Sequence, residues 1–216
     1  MKIILDVENT TTKRDGKLHL DPFEPDNSLT LVGVQESPFW TKDKSTVFVF
    51  DHKERVMTDD DADKRLQRVL DNTTLLIGPN LQYDLQWLWE CGFRYDGEIY
   101  DTMLGAYILQ RGQKGSVSLE NCAERYGLDI KKSDTLKDYF RRGFQTDEIP
   151  LDELSEYLRQ DLAVTQQLYW KLQEEYDKDE SKSLATVRDV TNKVCKALTK
   201  MYMKGIAIDR DALAQV

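Results

Sequence analysis

A 216-residue chain that is 40% hydrophobic and 32% charged can bury one sizeable core, and no apolar run in it reaches the ~18 residues a membrane helix needs. A net charge of −9 argues against a protein that coats nucleic acid by electrostatics alone. Three widely spaced cysteines, Cys91, Cys122 and Cys195, form no CxxC pair and fit reduced thiols of a cytoplasmic protein, not a disulfide frame or a zinc site.

The first element in chain order is a strand over 2–8, "KIILDVE", reached from Met1 with no signal-peptide pattern. Alternation along a strand puts Ile3, Leu5 and Val7 on one face and Ile4, Asp6 and Glu8 on the other. A long polar insert, "TTTKRDGKLHLDPFEPDNS", separates it from strands at 29–35 and 45–50. An acid-led helix follows at 58–72, then a short buried strand at 74–78 that feeds a helix over 79–92 closed by Gly92. After an extended piece at Ile99-Tyr100 the chain turns helical, at 101–111, 117–127, 134–142, 151–176 and 182–204. Residues 111–142 carry eight Lys or Arg against five acids, which taken alone reads as a solvated surface. Strands first and mixed elements later give an α/β class, a partly antiparallel sheet covered by helices. The best break is "YDKDESKS" at 176–183. The helix beyond it sets Val187, Val190, Val194, Leu198 and Met201 at helical spacing, a stripe for the main body or for a domain outside this chain.

Four carboxylates stand where burial is expected. Asp6 and Glu8 share one strand face. In "GPNLQYDLQWL", Asp84 sits about 60° from Leu81 on a helix, four residues after Asn80. The stripe Leu154, Leu158, Asp161, Thr165, Leu168, Leu172 has the steps of a core-facing helix, and Asp161 occupies a position where leucine is expected. An unpaired carboxylate there is costly or protonated, and Tyr157 lies one turn before it. If the four acids converge, no Lys or Arg of their own stretches neutralises them; two divalent cations, Mg²⁺ or Mn²⁺, suit the hard oxygen set.

These stretches resemble the DEDD exonuclease superfamily in its tyrosine-bearing subgroup. "LDVENT" matches a D-x-E motif, "NLQYDLQWL" an N-x-x-x-D motif and "YLRQDLAVT" a Y-x-x-x-D motif. The whole is similar to the proofreading 3′→5′ exonuclease domain of family A DNA polymerases, with "YDTMLGAYIL" and "SLENCAERY" as flanking matches. "LTKMYMKGIAIDRDAL" resembles the start of a polymerase portion, which divides the chain into an exonuclease domain at 1–178 and a polymerase-like helix and tail at 179–216. The early first motif leaves no room for a preceding 5′-nuclease domain, as in T7-type phage polymerases.

The resemblance implies an RNase H-like fold with a mixed five-stranded sheet. It implies that Asp6, Glu8 and Asp161 bind a first metal, that Asp6 and Asp84 reach a second, and that Tyr157 orients the attacking water. The substrate is a single-stranded DNA 3′ end, shortened by release of nucleoside 5′-monophosphates. Thr10 and Asn80 are candidates to touch the terminal nucleotide, and Arg141, Arg142 and Lys137 to touch phosphates. Tyr83, Trp87 and Phe144 are candidates to stack on bases, with core packing the alternative for Trp87. The implied setting is a monomer in the cytoplasm, that of an infected bacterial host if phage-encoded, with a polymerase domain in cis and no membrane contact. The rival readings are an RNase D-like RNA 3′ exonuclease and a non-catalytic nucleic-acid-binding domain.

Overall fold

In the computed structural model, which describes residues 1–37, 44–55, 61–128 and 134–209, the N-terminal apolar run becomes strand β1 (Lys2–Asn9). It is followed by β2 (Thr12–Arg14), β3 (Lys17–His19), β4 (Leu29–Ser37) and β5 (Ser45–Val49). Then come α1 (Ala62–Asp71), β6 (Leu75–Gly78), α2 (Leu81–Glu90), β7 (Glu98–Asp101) and α3 (Thr102–Leu109). The chain ends in α4 (Leu119–Tyr126), α5 (Asp134–Arg141), α6 (Leu151–Asp177) and α7 (Ser183–Lys204), with a 3-10 helix (Thr146–Glu148) before α6. The main sheet has five strands in the order β5-β4-β1-β6-β7. β4 runs antiparallel to both of its neighbours, β1 and β5, while β6 and β7 continue from β1 in parallel, so the sheet is mixed. Among the described residues, no helix is long and apolar enough to cross a membrane.

The alternation expected for β1 sets the layers. Ile3, Leu5 and Val7 pack with Leu66 and Leu70 of α1 and Leu81, Leu85 and Leu88 of α2. Ile4 packs on the opposite face, with Ile77, Tyr100 and the α6 residues Leu162, Leu168 and Leu172. Each such fully buried side chain contributes about 1.5–3 kcal/mol. Asp6 and Glu8 therefore stand on the α6 face. Across the sheet, Asp6 is opposite Gly33 and Glu8 is opposite Leu31.

Gly33 explains how closely α6 approaches. A Cβ there would lie 2.7 Å from Leu158 Cγ and 2.9 Å from Leu162 Cδ1. A glycine inside an apolar strand marks this kind of close approach. Leu158 and Leu162 flank Asp161 in sequence, so the bare backbone opposite Asp6 brings the Asp161 turn onto the sheet.

The structure departs from expectation in two places and decides between the two readings of the α7 stripe. The polar insert contains a hairpin, β2–β3, turned at Asp15 and Gly16 with φ of 53° and 74°. Asp-Gly is a strong signal for such a two-residue turn and was legible in "KRDGKL". The second helix starts at Leu81, not 79, because Asn80 takes a left-handed conformation. The stripe on α7 faces away from the body: Val190 is 56% and Met201 67% exposed, while Asn192, Cys195 and Thr199 are the buried residues. The start of the helix expected at 58–72, Lys131, Lys132 and the last residues of the polymerase-like tail lie outside the described residues.

Gly33→Ala should overpack the β4–α6 contact at a cost of roughly 1–3 kcal/mol. Calorimetry should show the thermal midpoint lowered by several degrees; an unchanged midpoint would show that α6 yields freely.

Candidate active site

Strand β1 pairs with β4 as far as Asn9, but with β6 only through Lys2, Ile3 and Ile4. Gly78 closes β6 with its Cα side against the Leu5 carbonyl, and the chain then turns at Pro79 and Asn80 into α2. Beyond Leu5 one edge of β1 is open. Val7 N donates across that gap to Asp84 Oδ1 at 3.1 Å. Asp84 is thus pinned to the strand that carries Asp6 and Glu8, and it is only 2% exposed. Asp161 and Tyr157, both half-buried, come in from α6 on the Asp6 face. Three segments far apart in sequence meet at the end of one strand, where the sheet switches from antiparallel to parallel pairing.

The electrostatics show that the acids act on one another. Burial, with the charge of Asp161, pushes the Asp6 carboxyl up to about 8. Glu8 is raised by burial and then by Asp6 and Asp161. Asp84 is raised by burial and then by Asp6, against the Val7 amide. Asp161 is pushed up to about 6 by burial, while a hydrogen bond from Tyr157 holds it down. The Tyr157 phenol is itself raised, by burial and by Asp161 and Glu8. No lysine or arginine is among the groups that chiefly move these acids. Such a surplus of hard oxygen donors fits a divalent cation. Among the described residues, no group of three or more acids, histidines or thiols stands close enough together to hold a metal ion; uncompensated carboxylates repel, and a cation is what would draw them together.

The other expected residues divide in two. Thr10 is spent on the fold: its hydroxyl accepts from Ser28 N at 2.8 Å and shares a 3.2 Å contact with Ser28 Oγ. The Tyr83 hydroxyl is likewise engaged, with Asn9 Oδ1 at 2.6 Å and the Leu20 carbonyl at 3.0 Å. Trp87 is in the core. Asn80 and Arg141 remain exposed. Arg142 lies over the Phe144 ring at 4.9 Å, in the aromatic group that also includes Tyr139. Tyr139, Phe144 and Tyr157 pack against one core cluster, so this ledge adjoins the acids. Lys137 lies 3.7 Å from Glu120.

Two supports were not foreseen. Gln145 Oε1 accepts from Thr11 N at 2.9 Å and tethers the loop before α6 to the end of β1. Asp101 caps α3, taking bonds from Met103 N and Leu104 N. An acid just before an apolar helical run, as in "YDTML", is the signal that would have found it.

Known proteins can now be set beside this geometry. The profile of the 3′-5′ exonuclease domain of A-type DNA polymerases matches residues 27–177. The chain belongs to that family. The matched span holds Asp84, Tyr157 and Asp161, while Asp6 and Glu8 precede it and are joined to it by the fold. DNA polymerase I of Synechocystis sp. is 31% identical over 136 residues, 62% of this chain and 13% of that protein. DNA polymerase I of Borreliella burgdorferi is 23% identical over 150 residues, 69% of this chain and 16% of that protein. The chain therefore spans under a fifth of these relatives. Among solved structures, Brucella melitensis NrnC superposes with a TM-score of 0.66 at 14% identity, covering 94% of this chain and 86% of that one. NrnC has also been solved with bound Mg²⁺, a form with a TM-score of 0.64, and bound to pGG. The RNase H-like exonuclease fold expected from the motifs is thereby established.

A carboxyl raised on folding keeps its proton longer in the native state than in the unfolded chain. Native protein then binds more protons between the ordinary carboxyl range, about 4, and the raised value, so metal-free stability falls as pH rises through that window. Removing the charge at Asp6, whose window extends to about 8, should relieve this loss. With a chelator present, the thermal midpoint of Asp6→Asn relative to the parent should climb between about pH 5 and about pH 8. A difference that stays constant across those scans would contradict a raised Asp6.

Proposed function

We propose that this chain removes nucleotides from single-stranded or mismatched DNA 3′ ends, as the proofreading part of a family A DNA polymerase. The observation that carries the reading is the meeting of Asp6, Glu8, Asp84 and Asp161 with Tyr157 at the open end of β1. Asp6, Glu8 and Asp161 would hold one divalent cation, Mg²⁺ or Mn²⁺, and Asp6 with Asp84 a second. Cations bound there supply a lowered water pKa and neutralise charge at the scissile phosphate. A solved relative in fold with bound Mg²⁺ supports that choice.

The protein's own groups do the positioning. Because the Tyr157 phenol is raised, it stays protonated at neutral pH and is a poor base. Its hydroxyl donates a hydrogen bond to Asp161, and its oxygen lone pairs remain free to accept from a water and fix that water's direction. Water then attacks the terminal phosphorus in line, the bond to the 3′ oxygen of the penultimate nucleotide breaks, that oxygen gains a proton as the water gives one up, and the nucleoside 5′-monophosphate is released. Asn80 would meet the terminal nucleotide and the Tyr83 ring one of its bases. Arg141 and Arg142 would meet backbone phosphates, with Arg142 already braced on Phe144. The exposed apolar stripe of α7, and relatives that are whole DNA polymerases, support a polymerase domain in cis from about residue 179 onward. Likeness in fold to NrnC, solved bound to pGG, favours an RNA 3′ end as the second reading.

Asp161→Ala should lower Mg²⁺-dependent digestion of a single-stranded DNA oligonucleotide by at least ~10²-fold with the fold intact. Retained activity would sink the metal-site reading, and faster digestion of the matching RNA would favour the second one. Tyr157→Phe should slow digestion about tenfold and leave cation affinity nearly unchanged. An equal loss of both, followed by calorimetric Mn²⁺ titration, would contradict an orienting role.

A further inference from the structure

We propose that Asp101 is a positioning residue for this reaction: its carboxylate caps α2 and α3 together and thereby fixes where Asp84 stands. The inference rests on the exonuclease reading above. Asp101 ends β7, is 1% exposed, and has no salt-bridge partner among the described residues. Four backbone amides surround it instead. Oδ1 accepts from Asn80 N at 3.1 Å, Met103 N at 2.9 Å and Leu104 N at 3.1 Å. Oδ2 accepts from Leu81 N at 2.9 Å. Two of these donors open α3, the helix that follows. The other two belong to the start of α2, at sequence separations of 21 and 20.

Helix α2 has no cap of its own. Asn80 precedes it in a left-handed conformation, with φ 53° and ψ 45°, and its side chain makes no capping bond. An N-cap ordinarily comes from the residue just before the helix and satisfies that helix alone. Here the α2 amides are met by a side chain from a neighbouring strand, so the first turn of α2 is referenced to β7. Asp84 lies in that first turn. Its bond to Val7 N and its reach toward Asp6 depend on where that turn stands. Asp101 is in turn braced from the far side, because its own amide donates to Asn192 Oδ1 of α7 at 3.0 Å. A continuous path of bonds runs from α7 through Asp101 and the α2 amides to Asp84 and β1.

Asp101→Asn weakens the hold on α2 and spares α3. The amide keeps one carbonyl oxygen for Asn80, Met103 and Leu104 and places an NH₂ where Oδ2 met Leu81. The variant should melt cooperatively, and amide exchange over Leu81–Asp84 should accelerate by about tenfold or more. Calorimetry with Mn²⁺ and a nucleoside 5′-monophosphate should show one cation site weakened about tenfold and the other unchanged. In the exonuclease assay kcat should fall while KM for DNA holds. In an Asp84→Ala background, Asp101→Asn should add no further loss of cation binding. Unchanged exchange, or faster exchange with unchanged cation affinity, overturns the proposal. If Asp101→Asn fails to fold, Asn192→Ala, which leaves the carboxylate whole, is read the same way at an expected ~threefold amplitude. A parent protein with no Mn²⁺-dependent hydrolysis overturns the exonuclease reading instead, and the exchange measurement still decides whether Asp101 holds α2.

Discussion

Repulsion among four carboxylates is the constraint the rest of this fold must satisfy. Two like charges ~6 Å apart in a medium of effective dielectric ~20 repel by roughly 3 kcal/mol. That is comparable to burying one or two leucines. No single contact could hold Asp161 against Asp6, but α6 also buries Leu154, Leu158, Leu162, Leu168 and Leu172. The leucines do the holding, and Gly33 sets how near they bring the acid. The same logic holds on the other face. Asp84 is carried by a helix whose Leu81, Leu85 and Leu88 are all fully buried, which leaves its carboxylate little freedom to withdraw.

The sheet supplies the remaining element, a gap. A fully paired β1 would have its amides taken on both edges, and Asp84 would have no donor. Pairing with β6 stops after Ile4, and beyond Gly78 the chain turns at Pro79 and Asn80 into α2. The Val7 amide freed by that divergence is the one that receives Asp84. Open α/β sheets place sites where neighbouring connections diverge, for this geometric reason. It also explains why two faces of the sheet contribute to one site: α6 reaches it over the Asp6 face, and Asp84 reaches it around the open edge.

Much of this was legible in the residues. The alternation in "KIILDVE" placed Asp6 and Glu8 together, because strand faces are fixed by local geometry. Asp161 stood out because a helix stripe of leucines has a period that one acid interrupts visibly. Asp84 was ambiguous for a good reason: its meaning depends on a bond to Val7, 77 residues away, that no local pattern encodes. Thr10 looked available because sequence shows a hydroxyl but not its partner, and Ser28 had already taken it. The α7 stripe left two readings open. Apolar periodicity located a face correctly, yet the body is met by Asn192, Cys195 and Thr199. Periodicity reports that a face is to be covered, not what covers it.

The frame alone does not choose a substrate. NrnC shares it with a TM-score of 0.66 at 14% identity, so the sheet and helices tolerate almost complete replacement of their residues. Discrimination must then lie at the rim, in groups the frame presents but does not require. In this chain the rim is asymmetric. On the α5 side it is cationic and aromatic, with Arg142 over Phe144. On the other side the polar insert is drawn across the end of β1, held by the Tyr83 hydroxyl on the Leu20 carbonyl and by Thr12 on Asn27. Its exposed Leu18, Leu20 and Phe23 give that side an apolar surface, and Phe23 reaches Tyr202 of α7 with ring centroids 6.1 Å apart. A strand end entering between these walls would find phosphate-compatible charge on one side and base-compatible surface on the other. The insert therefore forms one wall at the end of β1, and α5 with Phe144 forms the other.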